Sequence, residues 1–393
     1  MCDKKTHLLA GDMPGNRTIK VQSLNIPFID LTRQYSRYRY EFKLAIDRVL
    51  NSGIYASGAE AEEFEREFAD YCGSPHCVTA SSGTQALEIG LAALGLGPGD
   101  GVVTVANAGM HSTTAIRTIG AIPQFAEVDA QTLTMSQEGL LAAINDQTKA
   151  VIVTHLYGRV AEIEALAEIT QSRNLLLVED CFQATGATVN GSRVGTFGQL
   201  GSFCFAPAKT LGALGKAGAI ITPDQETAEK ARRIRLNGND LNRQAQLAWS
   251  RSRFIDEIQA AVLRVKLPML DEMNLNRRMI AQTYAINFNE LAEELRCMNQ
   301  INGSVFQHYV IRSTHRDSLR DFLLENGVGS TVHYPAPDYL LSDQDIDLRQ
   351  GFSLEETEKA CTEVLSLPCY PELSGVEVDR ICGLIMEKLA SVN

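Results

Sequence analysis

The sequence lacks the features that mark membrane-spanning and secreted proteins. Its apolar runs are shorter than the roughly 20 residues that a membrane span needs. Residues 1–25 are polar and mixed, without the apolar core of a signal peptide, and we expect them to form a loose arm. The nine cysteines show neither the close pairing of a disulfide framework nor the spacing of a zinc site. These absences predict a cytoplasmic protein with reduced thiols, no membrane association and no bound metal.

Positive charge is also in short supply. The chain has 36 Lys and Arg against 48 Asp and Glu, which gives a net charge of -12 and a pI of about 5.2. A nucleic-acid backbone or an anionic membrane surface is therefore an unfavourable partner. An anionic small molecule would need a local basic pocket.

Short apolar runs alternate with helical patterns through the first part of the chain. We predict strands at 101–105, 122–128, 149–154, 175–179, 202–205 and 219–222, and helices at 38–51, 59–71, 84–94, 111–119 and 162–172. This alternation predicts an α/β fold with a mostly parallel sheet that helices cover on both faces.

The pattern changes after about residue 251. A long helical stretch covers 255–273 and continues to 284, and Pro268 is expected to kink or break it. A strand at 304–312 and a helix at 316–326 follow, which is typical of a smaller α+β region. Since 393 residues are too many for one simple core, we predict an arm at 1–25, a large α/β domain at 26–250 and a small domain at 251–393.

The first segment with chemical potential is Ser81-Ser82-Gly83-Thr84, which leads into the predicted helix 84–94. Glycine lets a backbone approach an anion closely, and a helix start offers free N–H groups and a positive dipole end. The segment is therefore a candidate phosphate site. A plain helix N-cap is the alternative interpretation.

The second segment is Glu179-Asp180, at the end of the predicted strand 175–179. Ligands of open α/β sheets bind outside the carboxyl ends of the strands. A carboxylate there can bind a metal, a ribose hydroxyl or a protonated ring nitrogen, and Gln183 lies at turn spacing to reach the same ligand. A helix-capping or salt-bridged aspartate is the alternative.

The third segment carries Lys209, between the aromatic strand end at Phe205 and a glycine-rich turn at 210–215. Apolar surroundings lower the pKa of a lysine and favour its nucleophilic amine, whereas most lysines simply extend to solvent. A phosphate cradle, an acid for a ring nitrogen and an amine for an aldehyde are what pyridoxal phosphate requires. Together the three segments predict a pyridoxal phosphate site in which Lys209 forms the Schiff base.

Further motifs in the same order extend from Ile26 almost to the end of the chain. They are Ile26-Pro27-Phe28-Ile29-Asp30-Leu31, Phe64-Glu65-Arg66-Glu67-Phe68-Ala69, Ser82-Gly83-Thr84, Glu179-Asp180 with Gln183, Lys209-Thr210-Leu211-Gly212-Ala213, Asp256-Glu257-Ile258-Gln259-Ala260-Ala261, His333-Tyr334-Pro335 and Leu365-Ser366-Leu367-Pro368. With these motifs the chain resembles the DegT/DnrJ/StrS family of sugar aminotransferases, which are fold-type-I pyridoxal phosphate enzymes.

The resemblance implies roles for individual residues and a state of assembly. Lys209 matches the Schiff-base lysine, and Asp180 matches the acid that pairs with the pyridine nitrogen. Gln183 matches the residue near the ring hydroxyl, and Gly83 and Thr84 match the phosphate-binding turn. His111 stands where the family usually places an aromatic side chain over the ring face. Because the family's active sites lie at a dimer interface, we expect a homodimer with shared sites.

The chain departs from the family pattern in three places. Cys204 stands where the family usually has a phosphate-binding serine. We expect Ser202, two residues earlier on the same strand and so on the same face, to bind the phosphate instead. Ser252 stands where an asparagine usually reaches the partner subunit's cofactor phosphate. Asp338 lies in the Pro-Asp-Tyr segment that replaces a histidine usually found after His333-Tyr334-Pro335.

The function that these residues imply is transamination. We expect an amino acid, glutamate or glutamine, to donate an amino group that passes to a nucleotide-linked keto sugar, with Lys209 moving the proton. A different pyridoxal phosphate reaction, such as elimination, dehydration or carbon–carbon chemistry, is one alternative on the same scaffold. A non-catalytic regulatory homologue is the other, although the presence of Lys209, Asp180 and Gln183 together argues against it.

Overall fold

The computed structural model describes residues 26–236, 254–291, 295–297, 302–341 and 354–390. The arm at 1–25 and the candidate Ser252 lie outside these residues. The helices are α1 Leu31–Arg37, α2 Arg39–Ser52, α3 Ala59–Cys72, α4 Gly83–Ala93, α5 His111–Thr118, α6 Gln137–Ala143, α7 Ile163–Ser172, α8 Gln225–Arg235, α9 Glu257–Lys266, α10 Leu270–Asn287, α11 Arg316–Glu325, α12 Asp338–Leu341, α13 Glu355–Glu363 and α14 Gly375–Ala390. The strands are β1 His76–Ala80, β2 Gly101–Val105, β3 Ile122–Ala126, β4 Thr148–Thr154, β5 Leu176–Asp180, β6 Thr188–Val189, β7 Ser192–Arg193, β8 Leu200–Cys204, β9 Gly218–Thr222, β10 Arg296–Cys297, β11 Tyr309–Arg312 and β12 Val364–Leu367.

Seven of these strands form the central sheet, in the order β1-β9-β8-β5-β4-β2-β3. The strands from β8 to β3 are parallel, whereas β9 is antiparallel to both of its neighbours. β2 and β9 are buried along their whole length, as expected for strands covered on both faces. The predicted α/β fold with a mostly parallel sheet is therefore confirmed.

The two faces of the sheet contact different helices. On one face Val178 and Ile220 pack with apolar residues of α4, α5 and α8. On the other face Phe203 and Phe205 make edge-on contacts with Phe68 of α3, and α9 belongs to the same cluster. Because side chains alternate along a strand, neighbouring residues of β5 face opposite layers.

A second apolar core lies in the C-terminal part of the chain. The antiparallel strands β10, β11 and β12 pack with α10, α11 and α14, and buried aromatic residues such as Tyr284 and Tyr309 fill the space between them. The predicted strand 304–312 was too long, because Phe306 has a left-handed backbone with φ 48° and the chain becomes a strand only at Tyr309. Residues before that point bond the 157–158 loop instead, with Val305 N 2.8 Å from Gly158 O.

The predicted helix break at Pro268 is observed. α9 ends at Lys266, a 3-10 turn covers Leu267–Met269, and α10 begins at Leu270. Proline supplies no N–H to continue the helix, which explains the 3-10 turn between α9 and α10. α9 lies against α2 and α3 and contributes to the core of the large sheet, although it follows residue 251. The division at residue 251 thus stays a prediction. None of the helices in the described ranges is both long and apolar enough to cross a membrane.

Candidate active site

The candidate residues meet at the carboxyl edge of the large sheet. Asp180 is the last residue of β5, and it pairs in register with Ser202 of β8. The loop that carries Lys209 follows β8, while α4 and α5 begin beside the same edge. Parallel strands bring their carboxyl ends together, so segments far apart in sequence converge there.

Asp180 is buried and has two close hydrogen-bond donors. Phe182 N donates to Oδ1 at 3.0 Å, and Ser112 Oγ donates to Oδ2 at 3.0 Å. Burial raises the pKa of Asp180, against the lowering effects of these donors and of the nearby His111 and Lys209. A carboxylate offers about four lone-pair positions, so Asp180 keeps acceptor capacity for another donor.

His111 begins α5 and lies close to the start of α4. Its Nδ1 is 3.4 Å from Thr84 Oγ1, and its ring meets Phe182 edge-on with centroids 5.8 Å apart. Burial lowers the pKa of His111, Asp180 raises it and Lys209 lowers it further. A neutral imidazole, which can stack on a flat ring, is therefore expected at neutral pH.

Gln183 is held at both ends of its amide. Its Oε1 accepts from Tyr157 N at 2.6 Å, and its Nε2 donates to Tyr334 Oη at 3.1 Å. These two bonds determine which way the amide points. Tyr334 belongs to the C-terminal part of the chain, so that part reaches the site of Asp180 and Gln183.

The loop around Lys209 is anchored by residues from other elements. Gln307 Nε2 donates to Ala208 O at 2.6 Å, and Lys266 Nζ donates to Gly212 O at 2.5 Å. Burial lowers the pKa of Lys266 to about 7. Lys209 itself is half-buried and lies within electrostatic range of Asp180. The loop therefore presents an amine to the same space as the carboxylate.

The side chain next to the candidate phosphate turn is Cys204. Gly83 starts α4, and a Cβ atom placed on it would be 2.5 Å from Cys204 Cβ, so only glycine allows this approach. Cys204 is partly exposed, whereas Ser202 is fully buried and its Oγ has no hydrogen-bond partner among the described residues. The geometry favours Cys204 over Ser202 as the neighbour of the turn. That Ser202 binds the phosphate in place of the family's usual serine stays a prediction.

Glu179 belongs to a separate, structural cluster on the other face of β5. Its Oε1 accepts from Phe197 N at 2.7 Å, and its Oε2 accepts from Gly195 N at 2.7 Å and contacts His155 Nε2 at 3.1 Å. His155 Nδ1 accepts from Ala161 N at 3.1 Å, so Nε2 carries the proton and donates to Glu179.

The same cluster contains Cys181. His155, Glu179 and Cys181 each offer one atom that could bind a metal, and these three atoms lie within 4.8 Å of one another. Burial raises the pKa of Cys181 well above its usual range, so the thiol stays protonated and is a poor metal ligand. His155 and Glu179 already use their lone pairs in the hydrogen bonds above. These three residues therefore form a hydrogen-bonded support for β5.

Sequence reasoning missed Ser112, Tyr334 and Asp338 as parts of this site. Ser112 follows the candidate residue His111 in the sequence, and its hydroxyl beside that candidate was the only indication of a role in the site. Tyr334 stood in a quoted motif without an assigned role, and Asp338 was noted only as a departure. Their contacts depend on tertiary packing over more than 150 residues of chain.

The arrangement fits pyridoxal phosphate. The start of α4 offers backbone N–H groups for an anion, and the absence of a side chain at Gly83 lets Cys204 approach this helix end. Asp180 is a buried carboxylate with spare acceptor capacity, and Lys209 supplies an amine on the same side of the sheet. An anion cradle, an acid and an amine are thus present together.

Comparison with known proteins agrees with this arrangement. A solved structure of Streptomyces venezuelae DesV in complex with a ketimine intermediate matches with a TM-score of 0.87 and 34% identity, over 92% of this chain and 98% of that one. A dTDP-3-amino-3,4,6-trideoxy-alpha-D-glucose transaminase of Streptomyces venezuelae is 35% identical, over 94% of this chain and 97% of the relative. A pleiotropic regulatory protein of Geobacillus stearothermophilus is 38% identical, over 93% and 98%.

The fold and the site together define an enzyme of the aminotransferase class. The family model of the DegT/DnrJ/EryC1/StrS aminotransferase family matches residues 37–386. The chain therefore belongs to this family, and the predicted family and enzyme class are confirmed.

Proposed function

We propose that this aminotransferase uses pyridoxal phosphate to move an amino group from glutamate or glutamine to a nucleotide-linked keto sugar. The observation that carries the proposal is the meeting of Asp180, the Lys209 loop and the Gly83 turn at one sheet edge. The 35% identity to a dTDP-amino-sugar transaminase supports the sugar as acceptor.

Each candidate residue has a defined task in this proposal. When bound, pyridoxal phosphate supplies an electrophilic carbon and an electron sink for the substrate's electrons. Lys209 would hold its aldehyde carbon, and Asp180 would face its ring nitrogen. His111 would contact the ring face, and Gln183 would contact the ring hydroxyl. Gly83 and Thr84 would hold the phosphate together with the side chain of Cys204 or Ser202. Ser252, which lies outside the described residues, would also contribute to the phosphate site.

Proton handling follows from the environments of two residues. Asp180 receives two hydrogen bonds that favour its anionic form, so it can keep a ring nitrogen protonated. Lys209, once released, is the amine placed to move a proton between substrate and cofactor carbon atoms.

We further propose a homodimer in a cytoplasmic setting, with active sites shared between subunits. Leu214, five residues after Lys209, is 52% exposed in the single chain. Tyr40, Ile54 and Tyr55 are also large, apolar and exposed among the described residues. Large apolar side chains that are exposed in the single chain are typical of a subunit interface. Sedimentation of the purified protein at micromolar concentration tests this, and a monomer would contradict it.

The decisive experiment is chemical trapping of the lysine. Borohydride reduction of the cofactor-loaded enzyme, followed by peptide mapping, should place the label on Lys209. Lys209→Ala should lose the label and all turnover, while the matched control Lys216→Ala, at an exposed position, should keep both. Label on Lys216, or on no lysine, would overturn the proposal.

A spectral screen separates the rival functions. Loss of the visible cofactor band on adding glutamate, followed by its recovery with a keto sugar, is expected of an aminotransferase. A yellow protein that ignores amino donors would indicate other cofactor chemistry. A colourless protein that binds no cofactor would indicate a regulator, which the name of the Geobacillus relative makes worth testing.

A further inference from the structure

Helix α5, which carries His111 and Ser112, begins without a cap from its own segment. Its N-cap residue, Met110, has a left-handed backbone with φ 69° and makes no side-chain capping bond. A thioether is a poor acceptor for the free N–H groups at a helix start. Some other group has to stabilise this helix end.

Asp338, from α12 in the C-terminal part of the chain, holds this helix end through the N–H of the N-cap residue Met110 and the hydroxyl of Thr113. Its Oδ1 accepts from Met110 N at 2.9 Å, and its Oδ2 accepts from Thr113 Oγ1 at 2.6 Å. Its own N–H donates to Ala106 O at 2.7 Å. With 1% of its surface exposed, Asp338 is enclosed by these partners. The start of α5 is therefore held by a residue 228 positions away in sequence.

The segment that contains Asp338 also touches the site at two other points. Tyr334 Oη accepts from Gln183 Nε2 at 3.1 Å. The Tyr334 ring lies so close to Gly109 that a Cβ atom there would be 2.4 Å from it. The chain between Tyr334 and Asp338 thus fixes the loop that precedes α5.

Two side chains just past the capped end face the candidate cofactor site. Ser112 Oγ donates to Asp180 Oδ2 at 3.0 Å, and His111 Nδ1 contacts Thr84 Oγ1 at 3.4 Å. A shift at Met110 would move both, because they are the next two residues of the same helix. We propose that Asp338 is a positioning residue, which acts through α5 to hold Ser112 against Asp180 and His111 at the ring site.

The chemistry of a carboxylate explains why aspartate suits this place. A carboxylate has two oxygens that accept at once, whereas a neutral imidazole has one acceptor and one donor. Negative charge also interacts favourably with the positive end of a helix. Burial raises the pKa of Asp338 to about 6, and the Thr113 and Met110 donors oppose that rise. A histidine in place of Asp338 could not accept from both donors at once.

The inference rests on the proposed function for its catalytic consequence, but its structural part is testable without cofactor. In apo protein, amide hydrogen exchange at Met110 should be about five- to tenfold faster in Asp338→Ala than in the parent, the usual effect of losing a cap. Asp338→Asn keeps one acceptor and should lie between the two. Unchanged exchange at Met110 in both variants would overturn the cap.

The catalytic part is tested with a double-mutant cycle in the holoenzyme. Asp338→Ala and Ser112→Ala should each lower kcat more than they raise KM, and each should alter the circular dichroism of the bound cofactor. Because Asp338 acts in part through Ser112, the two losses in kcat should combine to less than their product, and the part that remains in the Ser112→Ala background runs through His111. Fully multiplicative losses in kcat would show that Asp338 acts elsewhere and would overturn the positioning role.

The milder Asp338→Asn variant repeats the cycle if Asp338→Ala folds poorly. Thr113→Ser is the matched control, because it keeps the hydroxyl that Asp338 accepts from and should match the parent in cofactor dichroism. A parent protein that shows no cofactor band or no transamination would refute the proposed function, while the exchange result would still decide the cap.

Discussion

Glu179 and Asp180 are neighbours on β5, yet they occupy opposite kinds of environment. Glu179 is fully buried and accepts from Gly195, Phe197 and Gly198 backbone N–H groups as well as from His155. Its two oxygens are thereby saturated. A carboxylate with this many donors stabilises a structure and has little capacity for a ligand.

Asp180 points to the other face of the sheet and has fewer close donors. Two hydrogen bonds at 3.0 Å leave part of its acceptor capacity unused, and burial raises its pKa. Ionised groups that are buried and incompletely satisfied reduce stability unless a ligand compensates. β5 therefore carries one carboxylate that stabilises the fold and one that is available to a ligand. The number of hydrogen-bond donors around each carboxylate distinguishes the two.

The largest expected effect is on stability, from Glu179→Gln. The amide nitrogen would face N–H donors where an oxygen now accepts, so we expect the free energy of unfolding to fall by about 3 to 5 kcal/mol. Denaturant titration measures it. Glu168→Gln, at an exposed position of α7, is the matched control and should change stability little. A loss below about 1 kcal/mol in Glu179→Gln would mean that the saturated carboxylate has no structural role.

Asp180→Asn should have the opposite profile. Turnover should fall by about 100-fold or more, which corresponds to about 3 kcal/mol of barrier, because a neutral amide does not keep a ring nitrogen protonated. The free energy of unfolding should not fall, since an ionised buried group is removed. Steady-state kinetics of the holoenzyme test the first part, and thermal unfolding of the apo protein tests the second. Turnover close to that of the parent would remove Asp180 from the proposed mechanism.

Two residues on the Asp180 face of β8 should affect cofactor affinity to a smaller degree. Cys204→Ser should tighten binding by about 1.5 to 3 kcal/mol, because a hydroxyl beside Gly83 is a stronger donor to a phosphate than a thiol is. Ser202→Ala should change affinity less, since Ser202 is more deeply enclosed. Absorbance titration of apo protein measures both. A larger loss in Ser202→Ala than any change at Cys204 would instead assign the phosphate contact to Ser202.

The smallest expected effect separates two hydroxyls near Asp180. Ser112 Oγ lies 3.0 Å from Oδ2, whereas Thr154 Oγ1 lies at 3.5 Å, too long for a strong bond. Ser112→Ala should lower kcat by about three- to tenfold, equivalent to one hydrogen bond. Thr154→Val, which keeps the shape, should leave kcat within about twofold. Equal effects in the two variants would show that distance to Asp180 does not decide the contribution.

Local patterns predicted much of the central sheet. The strand at 101–105 has its predicted limits, and the helix predicted at 59–71 begins at Ala59 and ends one residue later, at Cys72, because apolar spacing reports a buried strand or a helix face directly. β1 was missed, although it pairs along its length with β9. β12 and α14 were missed as well, since their places depend on contacts with β11, α10 and α11. Pairing between distant segments leaves no local signal.

The sequence by itself determined the family, the alternation of strands and helices between residues 101 and 222, and the types of residue at the strand ends. Those properties are local, because spacing and residue type report them without reference to the rest of the chain. The tertiary structure alone decided which of two adjacent carboxylates is saturated, that Cys204 rather than Ser202 adjoins Gly83, and that Asp338 caps α5. Each depends on hydrogen-bond donors or close contacts from remote segments, which only folding brings within 3 Å or so of one another.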